Sequence, residues 1–277
     1  MNVKNINELD KNKLTIVCTT NQKYIKYVRP FLNSIEKNSR DLNVVLRLVN
    51  CENYDFEYIN FDLYKIYQTK KFKNKFITTS GDPKNDPKTK NYLSLLKSTK
   101  LSGSTLPLFK RCESVYCSNI KFNTINKLLA NNFKYILYLD VDTIVNGNFN
   151  SIIDDTKDYD LGMFIDTDDI NCFTTKHGEE YMGWNAGLMY INNTKVSKNF
   201  YNILEKRVNA DIFDIEADEV EFQKLLSEID INIFYVDKKY KDNGPVYNRD
   251  SYMWSGQFDE KIINKMYLQE LEKYNEA

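Results

Sequence analysis

"YILYLDVDTIV" occupies residues Tyr135 to Val145, and its two halves differ in character. Tyr135 to Leu139 form a continuous apolar and aromatic run, the pattern of a strand buried on both faces of a sheet. Asp140 and Asp142 then interrupt the run, although Ile144 and Val145 resume it. In extended chain, residues i and i+2 share a face roughly 7 Å apart along the backbone. The two carboxylates therefore converge while Val141 turns to the other side. Ionised and about 6 Å apart, they repel by ~3 kcal/mol at an effective dielectric of 20. A hard divalent cation reverses the balance, because Mg²⁺ or Mn²⁺ takes carboxylate oxygens and shares itself with phosphates. The other reading is a pair of aspartates that merely solvate the turn opening a loop. A bare D-x-D decides little, but its place directly behind the best strand of the chain, with TIVNGNF following, favours the metal site.

Outward from this stretch, strands and helices alternate. Leu14–Thr19 (LTIVCT) reads as a first strand running into a polar turn at Thr20-Asn21-Gln22, with a helix over Val28–Glu36 behind it. Asn43–Val49 is a second strand, and a weaker one lies near Leu63–Tyr67. From Ser118 to Ala130, Phe122, Ile125, Leu128 and Leu129 fall at helical spacing, and Asn131-Asn132 stops that helix before the strand at Lys134–Leu139. Further strands are expected at 160–165, 186–191 and 231–236. Two amphipathic helices lie among them, one carrying Val196, Phe200, Ile203 and Leu204, the other Val220, Phe222, Leu225 and Leu226. The expected architecture is one α/β domain over residues 1–277 with a mixed, mainly parallel central sheet flanked by helices. Ligands of such sheets gather beyond the carboxyl ends of the strands.

The bulk properties exclude several classes. With 277 residues, 42% hydrophobic and 14% aromatic, the chain is long and apolar enough to fold around a core. A formal net charge of −1 gives no general attraction to nucleic acid. Cys18, Cys51, Cys112, Cys117 and Cys172 are odd in number and form no C-x-x-C pair, and His177 is the sole histidine. Free thiols in a reducing compartment fit this better than a disulfide framework or a zinc site. The start, MNVKNINELDKNK, has no signal-like apolar stretch, and no segment approaches the ~20 apolar residues of a membrane span. A cytoplasmic location is expected. Residues 65–100 hold ten lysines against Asp82 and Asp86, with turn signals in GDPKNDPK. We read 68–105 as a lysine-rich loop insertion, either a solvated loop or a basic flap beside a phosphate-bearing substrate, and 238–277 as a C-terminal extension completing the site.

An ordered series of motifs carries a family resemblance. LTIVCTTN, CSNIKFNTINKLL, YILYLDVDTIVNGNF, LGMFIDTDD, GWNAGLMYIN and ADEVEF follow one another over roughly residues 14–230. In that order they resemble the glycosyltransferases of the A-type nucleotide-sugar (GT-A) fold, in particular the retaining group with glycogenin and bacterial lipopolysaccharide galactosyltransferases. The resemblance implies a sugar donor activated by a nucleoside diphosphate, in first place a UDP-sugar, and a glycan or other hydroxyl acceptor. It implies Mn²⁺ or Mg²⁺ on Asp140 and Asp142, with Asp140 also near the nucleotide ribose. Thr19, Thr20 and Asn21 are implied at the base and ribose, with Tyr24 able to stack on the base. Lys121 corresponds to a donor-contacting basic residue, with Asn123 as a competing candidate within a turn. Asp166, Asn185, Asp218 and Glu219 are implied around the sugar and acceptor.

Other readings remain beside these roles. Asn185 also suits a turn opening a strand, the Ala186-Gly187 pair close backbone packing, and Trp184 a core position. Asp218 also suits a helix N-cap, with Glu221 completing a capping box. The sequence departs from the family at two places: Glu219 stands where relatives carry Gln, and SYMWSGQFDEK lacks the histidine that supplies a third metal ligand. Asp250 or Asp259 are substitutes for that ligand and Lys261 for the lysine at the diphosphate. A non-catalytic binder of sugar nucleotide or glycan and an inverting transferase are the alternatives. A nucleotidyltransferase is disfavoured, because CTTNQKY is no Gly-rich phosphate loop.

Overall fold

In the strands at the centre of the sheet, side chains divide between two apolar clusters with a period of two. Leu14–Asn21 (β1) and Asn43–Val49 (β2) are buried at all positions, so both faces of each strand must be covered. Ile16 and Cys18 join one apolar cluster while Val17 joins the other; Leu46 and Val45 divide in the same way. In Tyr135–Leu139 (β4), Leu137 and Leu139 face the first cluster, and Ile136 and Tyr138 the second. With Asp62–Gln68 (β3), Leu161–Ile165 (β6), Trp184–Asn192 (β9) and Ile233–Tyr235 (β10), these strands form a seven-stranded sheet in the order β10-β6-β9-β4-β1-β2-β3. Pairings are parallel except for those of β9, which runs antiparallel to both β4 and β6. The mixed, mainly parallel sheet inferred from the sequence is therefore what forms, and β4 is its middle strand.

These are features of a computed structural model that describes residues 8–49, 51, 62–68, 108–165, 173–174, 180–181, 184–210, 217–242, 244, 246, 248, 250–256 and 264–275. Most of the lysine-rich segment (69–105), Asp166, His177, Asp259 and Lys261 lie outside the described residues.

Helices cover both faces. Val28–Asn38 (α1) puts Val28, Phe31, Leu32 and Ile35 against the first cluster, the i, i+3, i+4, i+7 stripe of an amphipathic helix. Leu108–Ala130 (α2), Lys195–Ala210 (α4) and Ala217–Glu228 (α5) cover the opposite face through Phe122, Ile125, Phe200, Leu204, Phe222 and Leu225. Helix α2 starts ten residues before the expected Ser118 and ends where expected. Asn132 is left-handed (φ 64°), the Asn132 N–H bonds the Leu129 carbonyl, and the Phe133 N–H bonds the Leu128 carbonyl. That is a Schellman ending with asparagine in the glycine position. Ser151–Thr156 (α3) is a short helix between the strands Ile144–Val145 (β5) and β6.

The C-terminal part wraps the first cluster. The strand Met253–Trp254 (β11) pairs antiparallel with β5, a two-stranded ribbon absent from the sequence reading; Phe173–Thr174 (β7) and Glu180–Tyr181 (β8) form a second ribbon. Lys265–Asn275 (α6) buries Tyr267 and Tyr274 against α1, where Asn33 donates to the Tyr274 carbonyl at 2.7 Å and Asn38 to its hydroxyl at 3.0 Å. No helix among the described residues is long and apolar enough to cross a membrane.

Candidate functional site

Strand β1 extends two residues beyond the expected boundary, through Thr20 and Asn21, and this carries its polar residues to the carboxyl edge of the sheet. Asn21 then makes the turn: its Oδ1 accepts the N–H groups of Lys23 at 3.0 Å and Tyr24 at 3.3 Å. This Asx turn folds Tyr24 back beside the strand end. One cleft opens there, lined by Thr19, Thr20, Asn21, Tyr24, Cys117, Ser118, Tyr138, Asp140, Val141 and Asp142. Six of these ten are residues that the sequence reading assigned to donor or metal: Thr19, Thr20, Asn21, Tyr24, Asp140 and Asp142.

The two aspartates converge by a different route from the one expected. Strand β4 ends at Leu139, so Asp140 to Thr143 form a turn rather than extended chain. Val141 consequently lines the cleft as well and is also packed into the core, instead of turning away. Asp140 is exposed and Asp142 buried, at 9% exposure. The Asp140 N–H bonds the Gly187 carbonyl at 3.4 Å. That bond brings the Asn185-Ala186-Gly187 segment of β9 to the same sheet edge as the aspartates. Asn185 is the second residue of β9, next to Trp184, whose register partner is Ile165 at the end of β6.

Two tyrosine hydroxyls touch this turn. Tyr138 donates to Asp140 Oδ1 at 3.2 Å, and Tyr267 of α6 donates to the Asp142 carbonyl at 2.6 Å. Burial first, and the neighbouring aspartates second, raise both phenol pKa values, so both remain protonated donors at any physiological pH. Burial likewise raises the Cys18 thiol, with Asp140 and Asp142 adding to the effect; the thiol is inert rather than nucleophilic.

Lys121 and Asp218 form a buried ion pair of 2.8 Å, with side-chain exposures of 3% and 6%. Ser118 donates to the same Asp218 oxygen at 2.8 Å. Asp218 lies inside the first turn of α5, and its other oxygen accepts the Glu219 N–H at 3.1 Å. The capping-box reading is therefore corrected: a carboxylate that already holds Lys121 and Ser118 is a clasp between α2 and α5, not an N-cap. The Lys121 ammonium also lies 5.5 Å from the Tyr138 ring centre, so this clasp borders the cleft. Asn123, the competing candidate, is engaged elsewhere. Arg47, buried on β2, donates to Asn123 Oδ1 at 2.8 Å and Thr124 Oγ1 at 2.9 Å, while Asn123 donates to Glu205. Glu219 is half-buried. Asp250, a candidate third metal ligand, follows Asn248 in a turn where its N–H bonds Asn248 Oδ1 at 3.1 Å.

The donor set suits a hard cation. Two carboxylates open onto one cleft, and none of the ten lining residues is basic. Asp140 and Asp142 are the residues that would hold such an ion. Among the described residues, no group of three or more His, Cys, Asp or Glu gathers around a common point. The Thr19 hydroxyl is a second sign that the cleft expects company: it is buried, with the residue 8% exposed, and has no hydrogen-bond partner among the described residues. A buried hydroxyl left unpaired costs about 1–3 kcal/mol, and a bound ligand would satisfy it. Cys117, Ser118 and Tyr138 are lining residues that the sequence reading missed. Ser118 and Lys121 are three apart on α2, a spacing that marks a shared helix face and was available as a signal.

A model of the nucleotide-diphospho-sugar transferase family matches residues 90–269. The fold is similar to that of the galactosyltransferase LgtC, solved in complex with donor and acceptor sugar analogs. The identity is 14%, the TM-score 0.54, and the alignment covers 95% of this chain and 96% of that one. It is also similar to the glycosyltransferase GlyE of Streptococcus pneumoniae TIGR4 (14% identity, TM-score 0.51, 96% of this chain) and to the bifunctional glycosyltransferase WbbM (12%, 0.51, 99%). The alignments span 63% of the GlyE chain and 46% of the WbbM chain. No curated protein sequence matches.

Proposed function

The chain belongs to the nucleotide-diphospho-sugar transferase family, and from that premise we propose that it is a metal-dependent glycosyltransferase. Its donor is a UDP-sugar and its acceptor a glycan or another hydroxyl compound. Transfer proceeds with retention, as the resemblance to the retaining group implies. The observation that carries the metal dependence is the lining of the cleft: two carboxylates and no basic side chain. Among the described residues the lining sets two carboxylates against an incoming diphosphate, and a cation held by Asp140 and Asp142 would offset that repulsion.

The chain's own residues divide the work. Thr19, Thr20 and Asn21, at the end of β1, offer a hydroxyl, a second hydroxyl and an amide to the base and ribose, and Tyr24 offers a ring face to the base. Asp140 and Asp142 offer hard oxygen ligands and would hold Mn²⁺ or Mg²⁺, which would supply Lewis-acid stabilisation of the negative charge on the departing diphosphate. Asp218, held by Lys121 and Ser118, keeps a fixed carboxylate beside the cleft for the sugar hydroxyls. Glu219, Asn185 and Asp166 are proposed to orient the sugar and acceptor and to stabilise the positive charge that develops on the anomeric carbon. The folded clasp around Asp218 needs no rearrangement to act in this way, which is the condition for electrostatic preorganisation.

Asp142→Asn tests the reading. Transfer and donor hydrolysis are expected to fall at least a hundredfold while the far-UV circular dichroism is retained, and excess chelator is expected to do the same to the wild-type protein until Mn²⁺ is restored. Full activity in either condition overturns metal dependence. Metal-dependent binding of UDP with no turnover on any donor supports the non-catalytic alternative, motivated by Glu219 and the missing histidine. Proton NMR of the product's anomeric centre decides between retention and inversion.

A further inference from the structure

The turn that carries the two aspartates is secured from the far end of the chain. Tyr267, 125 positions after Asp142, is fully buried, and its hydroxyl donates to the Asp142 carbonyl at 2.6 Å. The position of that hydroxyl is itself overdetermined. Asn264 caps α6, its Oδ1 accepting the Tyr267 N–H at 3.1 Å. The Tyr267 ring packs edge-on against Trp254 with centroids 5.5 Å apart. Trp254 pairs with Ile144, two residues beyond Asp142, and its indole N–H is fixed on the Gly244 carbonyl at 2.8 Å. From the other side, Tyr138 donates to Asp140 Oδ1 at 3.2 Å. The turn thus has one aspartate held by its carboxylate and the other by its backbone.

We infer that Tyr267 and Tyr138 are positioning residues that preset Asp140 and Asp142 for a divalent cation, so that the C-terminal helix is a working part of the metal site. The inference rests on the metal-dependent reading above. Its physical basis is that partners behind the ligands fix their orientation before the ion arrives, and their loss typically weakens metal affinity 10–100-fold when they touch the ligand itself. Tyr138 touches the carboxylate. Tyr267 touches the backbone behind it, where one neutral hydrogen bond corresponds to a three- to tenfold effect. Both hydroxyls contact the aspartates themselves, one a carboxylate oxygen and the other a backbone carbonyl, so their removal would weaken metal binding while leaving both carboxylates in place.

The test is Mn²⁺ titration of the full chain with UDP present, followed by electron paramagnetic resonance, on Tyr267→Phe, Tyr138→Phe and Tyr274→Phe. Tyr274 is the control: it lies on the same helix, and its hydroxyl accepts from Asn38 instead of touching the turn. Expected are a three- to tenfold weaker Mn²⁺ dissociation constant for Tyr267→Phe and about tenfold for Tyr138→Phe, with broadened bound-Mn²⁺ spectra. Tyr274→Phe is expected to bind as wild type. At saturating Mn²⁺ the turnover of Tyr267→Phe should approach wild type, which separates positioning from catalysis. Wild-type affinity in both test variants overturns the inference and leaves the proposed function standing. An equal loss in Tyr274→Phe also overturns it, because the effect then belongs to helix docking in general. Absence of Mn²⁺ binding to the wild-type protein overturns the metal-dependent reading and the inference with it.

Discussion

Lys121 and Asp218 show how little a motif says about the partner of a residue. Each stands out in the sequence as a candidate site residue, yet nothing there joins two positions 97 apart in the chain into a 2.8 Å ion pair. Burial makes the pair a strong constraint, because removing one member leaves a charge without water or counter-charge, at a cost of about 3–5 kcal/mol. Lys121→Met is therefore expected to lower the unfolding free energy by roughly 3 kcal/mol in urea titrations. Adding Asp218→Leu should recover most of that loss, since an apolar pair of similar volume replaces a costly ionic one. Transfer is expected to be abolished in the double variant, which lacks the carboxylate proposed to meet the sugar. Recovery of activity together with stability would make the pair purely structural. Thr19, Thr20, Asn21, Tyr24, Asp140 and Asp142 were legible because they stand at the ends of β1 and β4, whose apolar runs are unmistakable. Tyr138 was not, because a tyrosine inside such a run reads as core, which it also is.

At the scale of elements, β1, β2, β4, α1 and the end of α2 followed from periodicity and turn residues. What escaped were pieces defined by distant partners. The strands β5 and β11 have two residues each, too short for any alternation to register. The first ten residues of α2, LFKRCESVYC, do place Leu108, Cys112, Val115 and Tyr116 at helical spacing, a stripe interrupted by the charged Lys110, Arg111 and Glu113. Helix α6 did have a signal, Tyr267, Leu271 and Tyr274 at i, i+4 and i+7 behind a capping Asn264, but its charged residues conceal the stripe. The β5–β11 ribbon has its own weak point. At Gly147, whose N–H bonds the Tyr252 carbonyl at 3.0 Å, an added Cβ would lie 2.6 Å from Tyr252 Cγ. Gly147→Ala must push the Tyr252 segment away, and the expected destabilisation is about 1–3 kcal/mol, seen as a lower urea midpoint with unchanged slope. A midpoint equal to wild type would mean that Tyr252 moves freely and that the ribbon does not tie the C-terminal part to the core.

At the scale of the whole molecule, the sheet places its most apolar strand in the middle and its two carboxylates at that strand's carboxyl end. That edge therefore brings two carboxylates to one cleft, beside a buried Thr19 hydroxyl that has no hydrogen-bond partner among the described residues. On the proposed function, a cation would offset the two carboxylates and a nucleotide diphosphate would meet Thr19, so neither component acting alone would do both. Stability should consequently depend on the pair. A ligand binding only the folded state stabilises it by about 2.7 kcal/mol at a hundred times its dissociation constant. For a domain of this size each kcal/mol corresponds to roughly 2–4 °C in Tm. UDP with Mn²⁺ is thus expected to raise Tm by about 5–10 °C, against a much smaller shift with Mn²⁺ alone and none with UDP alone. Extending the panel to other nucleotides and to UDP-sugars identifies the base first and the sugar second, since on the proposed function the base would meet the end of β1 and the sugar Asp218 and its neighbours. A shift with UDP in the presence of chelator equal to that with Mn²⁺ would mean that an unforeseen positive group meets the diphosphate, and the role proposed for Asp140 and Asp142 would then be lost.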